Sequence, residues 1–293
     1  ELDAIEQRPP QDSFIPSSFY KVDLPEAIQD SEELTFRFKY RGRIFRYSFE
    51  TSHIQSDYVE LAIYAVWYPL VSFKDRPSFE VRLRGPVDWT WIMNADQVDD
   101  GPLTWRSNDN RTDLTLHGRP IDDAIHPKES KLFWGSPANL ELYRPLEAKF
   151  SKIQDQLIRW LGEPETKDLK IILVPRDFGG GYARHRLIVI QDDTVTKIED
   201  DVSIMQYWGH EFSHSWFKRT TVEDYHNWVD EALATYASLL AIEEVYGHKA
   251  FQERIKKMRK RIEEQKGLPS IKSIERSHPH AQMVYYVYGI LVI

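Results

Sequence analysis

The chain has 293 residues, 41% of them apolar, and a formal net charge of −8 from 38 Lys and Arg against 46 Asp and Glu. That composition describes a folded globular protein, and the acidic balance argues against a nucleic-acid partner, which needs a basic face to displace counterions. Cys is absent, which removes disulfides, thiolate metal sites and Cys nucleophiles, and no apolar run approaches the length of a membrane span. The chain begins ELDAIEQRPP, without Met or an apolar leader. A processed form is therefore expected, with an extracytoplasmic (secreted or periplasmic) location. Residues 1–33 carry Pro9, Pro10, Pro16 and Pro25 and little periodicity, so they read as an extended lead-in.

From Leu34 to Phe49 apolar and polar residues alternate around Gly42, which predicts a β-hairpin. Strands are predicted over Val59–Trp67, Ser78–Arg84, Trp89–Met93, Leu103–Arg106 and Thr112–His117, with no helical stripe between them. Residues 1–138 therefore read as an all-β sandwich domain, with Trp67, Tyr68, Trp89, Trp91, Trp105 and Trp134 in its core. The pattern changes near Pro137. Leu142, Leu146, Phe150, Ile153, Leu157 and Leu161 recur at helical spacing up to Gly162. Short strands at Leu169–Val174 and Leu187–Ile190 follow, then helices over Ser203–Phe217, Trp228–Tyr246 and Lys249–Gln265. Residues 139–293 read as a second, α+β domain. The terminal run Gly289–Ile293 is apolar, so Ile290–Ile293 is expected to pack against a further segment.

The second domain holds His210-Glu211-Phe212-Ser213-His214. Two His four apart lie one above the other on a helix and can reach one ion. Glu211, rotated by about 100° from His210, sits beside such an ion without binding it. A metal that acidifies water and a carboxylate that takes the proton are what hydrolysis requires. A third ligand is needed. Glu231, with 16 residues between it and His214, is the candidate, and two imidazoles with one carboxylate leave an open position. His226 is a second possibility, on a predicted loop.

His210-Glu211-Phe212-Ser213-His214-Ser215-Trp216-Phe217, followed by Trp228-Val229-Asp230-Glu231-Ala232-Leu233-Ala234 and then Tyr286-Val287-Tyr288-Gly289, resembles the gluzincin metallopeptidases. Within them it is most similar to the aminopeptidase N-like family, over roughly residues 139–293. The resemblance implies a thermolysin-like zinc peptidase domain, incomplete at its C-terminus, acting on a peptide or protein substrate. It implies one zinc ion per chain on His210, His214 and Glu231, with Glu211 as general base and proton donor. Tyr286 would donate to the oxyanion, with Tyr285 and Tyr288 as neighbours that compete for the role. Thr235 and Asp230 would orient the ligands.

Three departures from the family stand out. The His214–Glu231 spacing is shorter than the family's. The chain ends soon after Tyr286. The segment Phe178-Gly179-Gly180-Gly181-Tyr182-Ala183-Arg184 takes the place of the family's substrate-binding GAMEN strand. Gly180, Gly181, Tyr182 and Arg184 then become candidate substrate contacts. Ala183 replaces the Glu that grips a substrate's ammonium group, and Arg184 beside it would repel one. That leaves aminopeptidase and endopeptidase activity both open. The alternative from another class is a degenerate zinc scaffold whose β-sandwich binds a protein or polysaccharide.

Overall fold

The computed structural model describes residues 4–7, 19–22, 33–42, 44, 53–65, 67–70, 78–98, 103–107, 113–164, 168–176, 180–198, 200–218, 227–265, 267–272, 274 and 278–292. The chain is mixed α+β. Strands β1 (Ala4–Gln7) and β2 (Phe19–Val22) form an antiparallel pair. The N-terminal half continues with β3 (His53–Ile54), β4 (Val59–Leu61), β5 (Phe79–Arg82), β6 (Trp89–Met93), β7 (Asp96–Val98), β8 (Thr104–Ser107) and β9 (Leu116–Pro120). These make two antiparallel sheets, ordered β3-β4-β9-β6 and β5-β8-β7. Both sheets feed one aromatic core: Leu61, Met93 and Leu116 come from the first, and Trp105 with Phe79 and Val81 from the second.

Several predicted strands differ from those observed. Leu34 to Tyr40 forms no strand, and Phe38 and Tyr40 are 56% and 65% exposed. Alternation alone cannot specify a strand, and among the described residues no sheet pairs with this run. The second arm of that hairpin, residues 45–49, lies outside the described residues. The strand from Val59 stops at Leu61, and a single 3₁₀ turn at Ile63–Ala65 follows. The strand predicted at Thr112–His117 runs over Leu116–Pro120 instead.

The C-terminal half is built on a mixed sheet of β10 (Phe133–Trp134), β11 (Lys170–Val174), β12 (Tyr182–Arg184) and β13 (Leu187–Gln191), in the order β10-β11-β13-β12. The first three strands in that order are parallel, and β12 closes the edge antiparallel to β13. β10, N-terminal to the boundary expected at 138, thus belongs to this sheet. The unbroken runs Ile171-Ile172-Leu173-Val174 and Leu187-Ile188-Val189-Ile190 are fully buried, as strands covered on both faces require. Ile171, Leu173, Ile188 and Ile190 point to the helices. Ile172, Val174, Leu187 and Val189 point to Tyr58 and Ala62 of the N-terminal half. The order of layers is therefore helices, mixed sheet, β half.

Helix α1 (Leu140–Leu161) buries Tyr143, Leu146, Phe150, Ile153 and Leu157. Leu142, expected in that stripe, is exposed, and Tyr143 takes its place. A short helix α2 (Thr194–Lys197) leads to α3 (Asp201–Ser213), whose N-terminus is capped by Asp200 accepting from the Ser203 amide at 2.7 Å. Then come α4 (Asn227–Tyr246) and α5 (His248–Glu263), split at Gly247, whose φ of +88° suits glycine. The last helical stretch spans 281–292 and contains a π-helical turn, Val284–Tyr288. Ile290, expected to await a further segment, packs within the chain against Ala232, Leu239 and Met258. Leu291 is partly exposed, and the side chains of residues 292 and 293 lie outside the description. No described helix is long and apolar enough to cross a membrane.

Candidate metal centre

Helix α3 was expected to run to Phe217 but ends at Ser213, with His214 still in helical conformation as its cap. His210 and His214 therefore keep their one-turn relation, and their rings meet edge to face at 4.8 Å. Glu231 enters from the first turns of α4, which packs closely along α3. The closest approach is sterically prepared: a Cβ on Gly209 would already lie 3.3 Å from Ser238 of α4.

Three donor atoms converge. His210 Nε2 and His214 Nε2 are 3.3 Å apart, and Glu231 Oε2 lies 3.3 Å from the first and 3.4 Å from the second. His214 Nδ1 donates to the Phe217 carbonyl at 2.8 Å, since a carbonyl only accepts. Thr235 Oγ1 donates its one proton to the Glu231 carbonyl at 2.8 Å and so accepts from His210 Nδ1 at 2.9 Å. When neutral, both imidazoles thus turn their Nε2 lone pairs toward the buried Glu231 carboxylate oxygen. Converging lone pairs repel unless positive charge, a metal ion or a proton, lies between them. The group His210, His214 and Glu231 could hold a metal ion.

In the metal-free chain a proton on His214 supplies that charge. Burial disfavours charge on His214, but the Glu231 carboxylate outweighs it and lifts the imidazole to a pKa of about 9. Burial likewise opposes charge on Glu231, yet His214 and His210 hold its carboxyl well below the usual range. Glu211 is 6% exposed, and burial pushes its carboxyl above the usual carboxylate range, with the two His pulling the other way. A carboxyl so placed holds its proton more readily than a solvated one.

The other predicted residues separate into those near the centre and those engaged elsewhere. Tyr286 sits on the π-helical turn with its ring 5.5 Å from that of His210. Tyr285 is buried and donates to the Ile274 carbonyl, and Tyr288 packs in the cluster beside it. Of the three tyrosines, the ring contact with a candidate ligand belongs to Tyr286. Asp230 is buried on α4. His226 lies outside the described residues.

Gly180 and Gly181 precede the edge strand β12, whereas Tyr182 and Arg184 are engaged by the β half. The Tyr182 hydroxyl donates to Glu60 Oε1 at 2.9 Å. Arg184 is paired with Asp113 at 2.5 Å and cannot act as the free cation beside a substrate that the sequence suggested. Side chains alternate along a strand, so Gly181 and Ala183 take the opposite face, toward α3.

One neighbour escaped the sequence reading. Tyr207 lies on α3 one turn before Glu211, and a Cβ on Gly181 would come within 2.0 Å of its hydroxyl. Burial and the Glu211 charge push Tyr207 up, so it stays a neutral phenol. The signal was available: residues 207 and 211 are four apart on the predicted helix and share its face.

The role of Thr235 is directly testable. Thr235→Val keeps the shape and removes the acceptor that fixes the His210 tautomer. Metal affinity, measured by titration with a divalent ion, should fall by about 10–100-fold. Unchanged affinity would exclude that role.

The chain matches no protein-family model and no curated protein significantly.

Proposed function

We propose that this chain is a zinc-dependent metallopeptidase of the gluzincin type. The carrying observation is the donor triangle with edges of 3.3, 3.3 and 3.4 Å. Tetrahedral zinc with bonds of about 2.0–2.1 Å has ligand-to-ligand edges of about 3.3–3.4 Å. The triangle therefore fits one face of such a tetrahedron, with His210, His214 and Glu231 as the residues that would hold the ion. When bound, zinc supplies Lewis-acid chemistry, acidifying water and polarising a carbonyl.

The chain's own residues divide the remaining work. Glu211 accepts the proton of the attacking water and returns it to the leaving amine. Tyr286, across the His210 ring, donates its hydroxyl to the oxygen on which negative charge develops. The edge strand β12 offers backbone groups to an extended peptide. Its site-facing positions are Gly181 and Ala183, which carry no charge to hold a terminal ammonium. This favours cleavage within a chain over removal of its first residue. A mixed sheet backed by the ligand-bearing helices, with β12 beside α3, supports the thermolysin-like reading. The binding-module alternative gains no comparable support, because Trp67, Trp89, Trp91 and Trp105 join the shared core.

A mixed library of internally quenched peptides tests the proposal. Cleavage that a chelator abolishes and added zinc restores is the expected result. Cleavage insensitive to the chelator would exclude the mechanism, and tight binding without cleavage would favour the binding-module alternative.

A further inference from the structure

Positions 180, 182 and 184 alternate with 181 and 183 along β12 and its lead-in; Tyr182 and Arg184 are tied to the β half directly, and Gly180 through Arg176. The Gly180 carbonyl accepts from Arg176 Nη2 at 2.7 Å, and Arg176 Nε stands 3.4 Å from Glu60 Oε2 on β4. The Tyr182 hydroxyl donates to the other oxygen of the same Glu60. Arg184 Nε donates to Asp113 Oδ2, and its guanidinium lies 4.8 Å from the Tyr182 ring centre and 5.6 Å from that of Tyr64. Glu60 and Asp113 are 0% and 3% exposed. On the opposite face, Gly181 abuts Tyr207 of α3. Apolar side chains alone would hold two sheets together at less desolvation cost than buried carboxylates. What directional ion pairs add is a fixed position.

We infer that the β half is the positioning frame of the substrate groove, with Glu60 and Asp113 as positioning residues that fix β12 against the metal-bearing helix. The inference rests on the reading of β12 as the strand that pairs with a peptide. Recognition through main-chain hydrogen bonds tolerates little displacement of the edge. Loss of either carboxylate therefore weakens capture of an extended peptide before it affects the chemical step.

The test uses the full chain with Glu60→Gln, Asp113→Asn and the double variant. Zinc content, Tm, kcat and KM are measured on an extended quenched peptide and on a short chromogenic amide that does not span β12. KM for the extended peptide should rise about tenfold per variant, the scale of one lost hydrogen bond to a charged group. The effect should fall on KM rather than kcat, spare the short amide, and be reversed in part by Asp113→Glu. A merely structural role would lower Tm and the active fraction and leave KM unmoved; that result overturns the inference. Amide hydrogen exchange over residues 180–184 separates this from failure of the peptidase reading. Faster exchange there, with α3 unchanged, is expected whether or not any peptide is cleaved. Unchanged exchange in both single variants would refute the frame.

Discussion

Replacing Glu211 by Gln is expected to lower peptide-hydrolysis turnover by about 10²–10⁴-fold, the usual contribution of a general acid–base residue. Zinc content should not change, because the donor triangle is made by His210, His214 and Glu231 without Glu211. Gln keeps the size and the buried position but cannot take a proton. Fold stability should hold or rise slightly, since burial already disfavours the charged form of this carboxyl. The comparison is made on zinc content by elemental analysis and on kcat under saturating peptide. Full turnover in the variant would remove Glu211 from the mechanism. Loss of zinc would make it a ligand and not a base.

The second large effect is on the metal itself. Glu231→Ala should weaken zinc binding by more than about 100-fold, since outer partners of ligands alone reach that value. The pH dependence is equally specific. In metal-stripped protein the His214 pKa is lifted to about 9. Its protonated form therefore stabilises the fold fully below the ordinary His value of about 6.5, and that contribution is lost as pH rises through about 9. The depressed Glu231 carboxyl acts in the opposite sense. Its contribution is present above its ordinary value of about 4.5 and is lost in more acid solution.

Zinc needs the unprotonated imidazole, so its binding displaces the His214 proton. Apparent zinc affinity should rise by about tenfold per pH unit up to about pH 9. The Tm gap between zinc-loaded and stripped protein should widen from pH 6 to pH 9. Glu231→Ala removes the carboxylate that lifts His214 and should flatten the slope above neutral pH. Calorimetry at several pH values, with zinc at a fixed excess, reads both effects. A flat profile in the unaltered chain would contradict the paired arrangement of His214 and Glu231.

Much of this centre was legible in the primary sequence because its parts are local. His210 and His214 need only one helical turn to face the same way, and that turn survives although α3 ends at Ser213. Glu231 was within reach once the two helices packed against each other. Thr235 was legible as a candidate for orienting a ligand, since it lies one turn beyond Glu231 on α4. The Phe217 carbonyl that orients His214 was not legible, because it depends on where α3 stops. The N-terminal strands were placed less accurately. A helix satisfies its own backbone, whereas a strand exists only if a partner accepts its edge, and among the described residues no strand pairs with the alternating run Leu34 to Tyr40.

The amino-acid order by itself determined the chemistry on offer: no thiols, an acidic balance, and a His-Glu-x-x-His turn followed by a carboxylate. It also determined that β11 and β13 would be buried, since Ile, Leu and Val fill them without interruption. Only the tertiary structure decided which way the edge strand faces. Arg184 alternates with Ala183 whichever face meets the groove, and local sequence is indifferent to that choice. The buried partners Asp113 and Glu60, 71 and 122 residues earlier than Arg184 and Tyr182, turned the polar face toward the β half. A charge that desolvation would make costly is stable only where its counter-charge is built in, so the position of those carboxylates fixed the orientation of the strand.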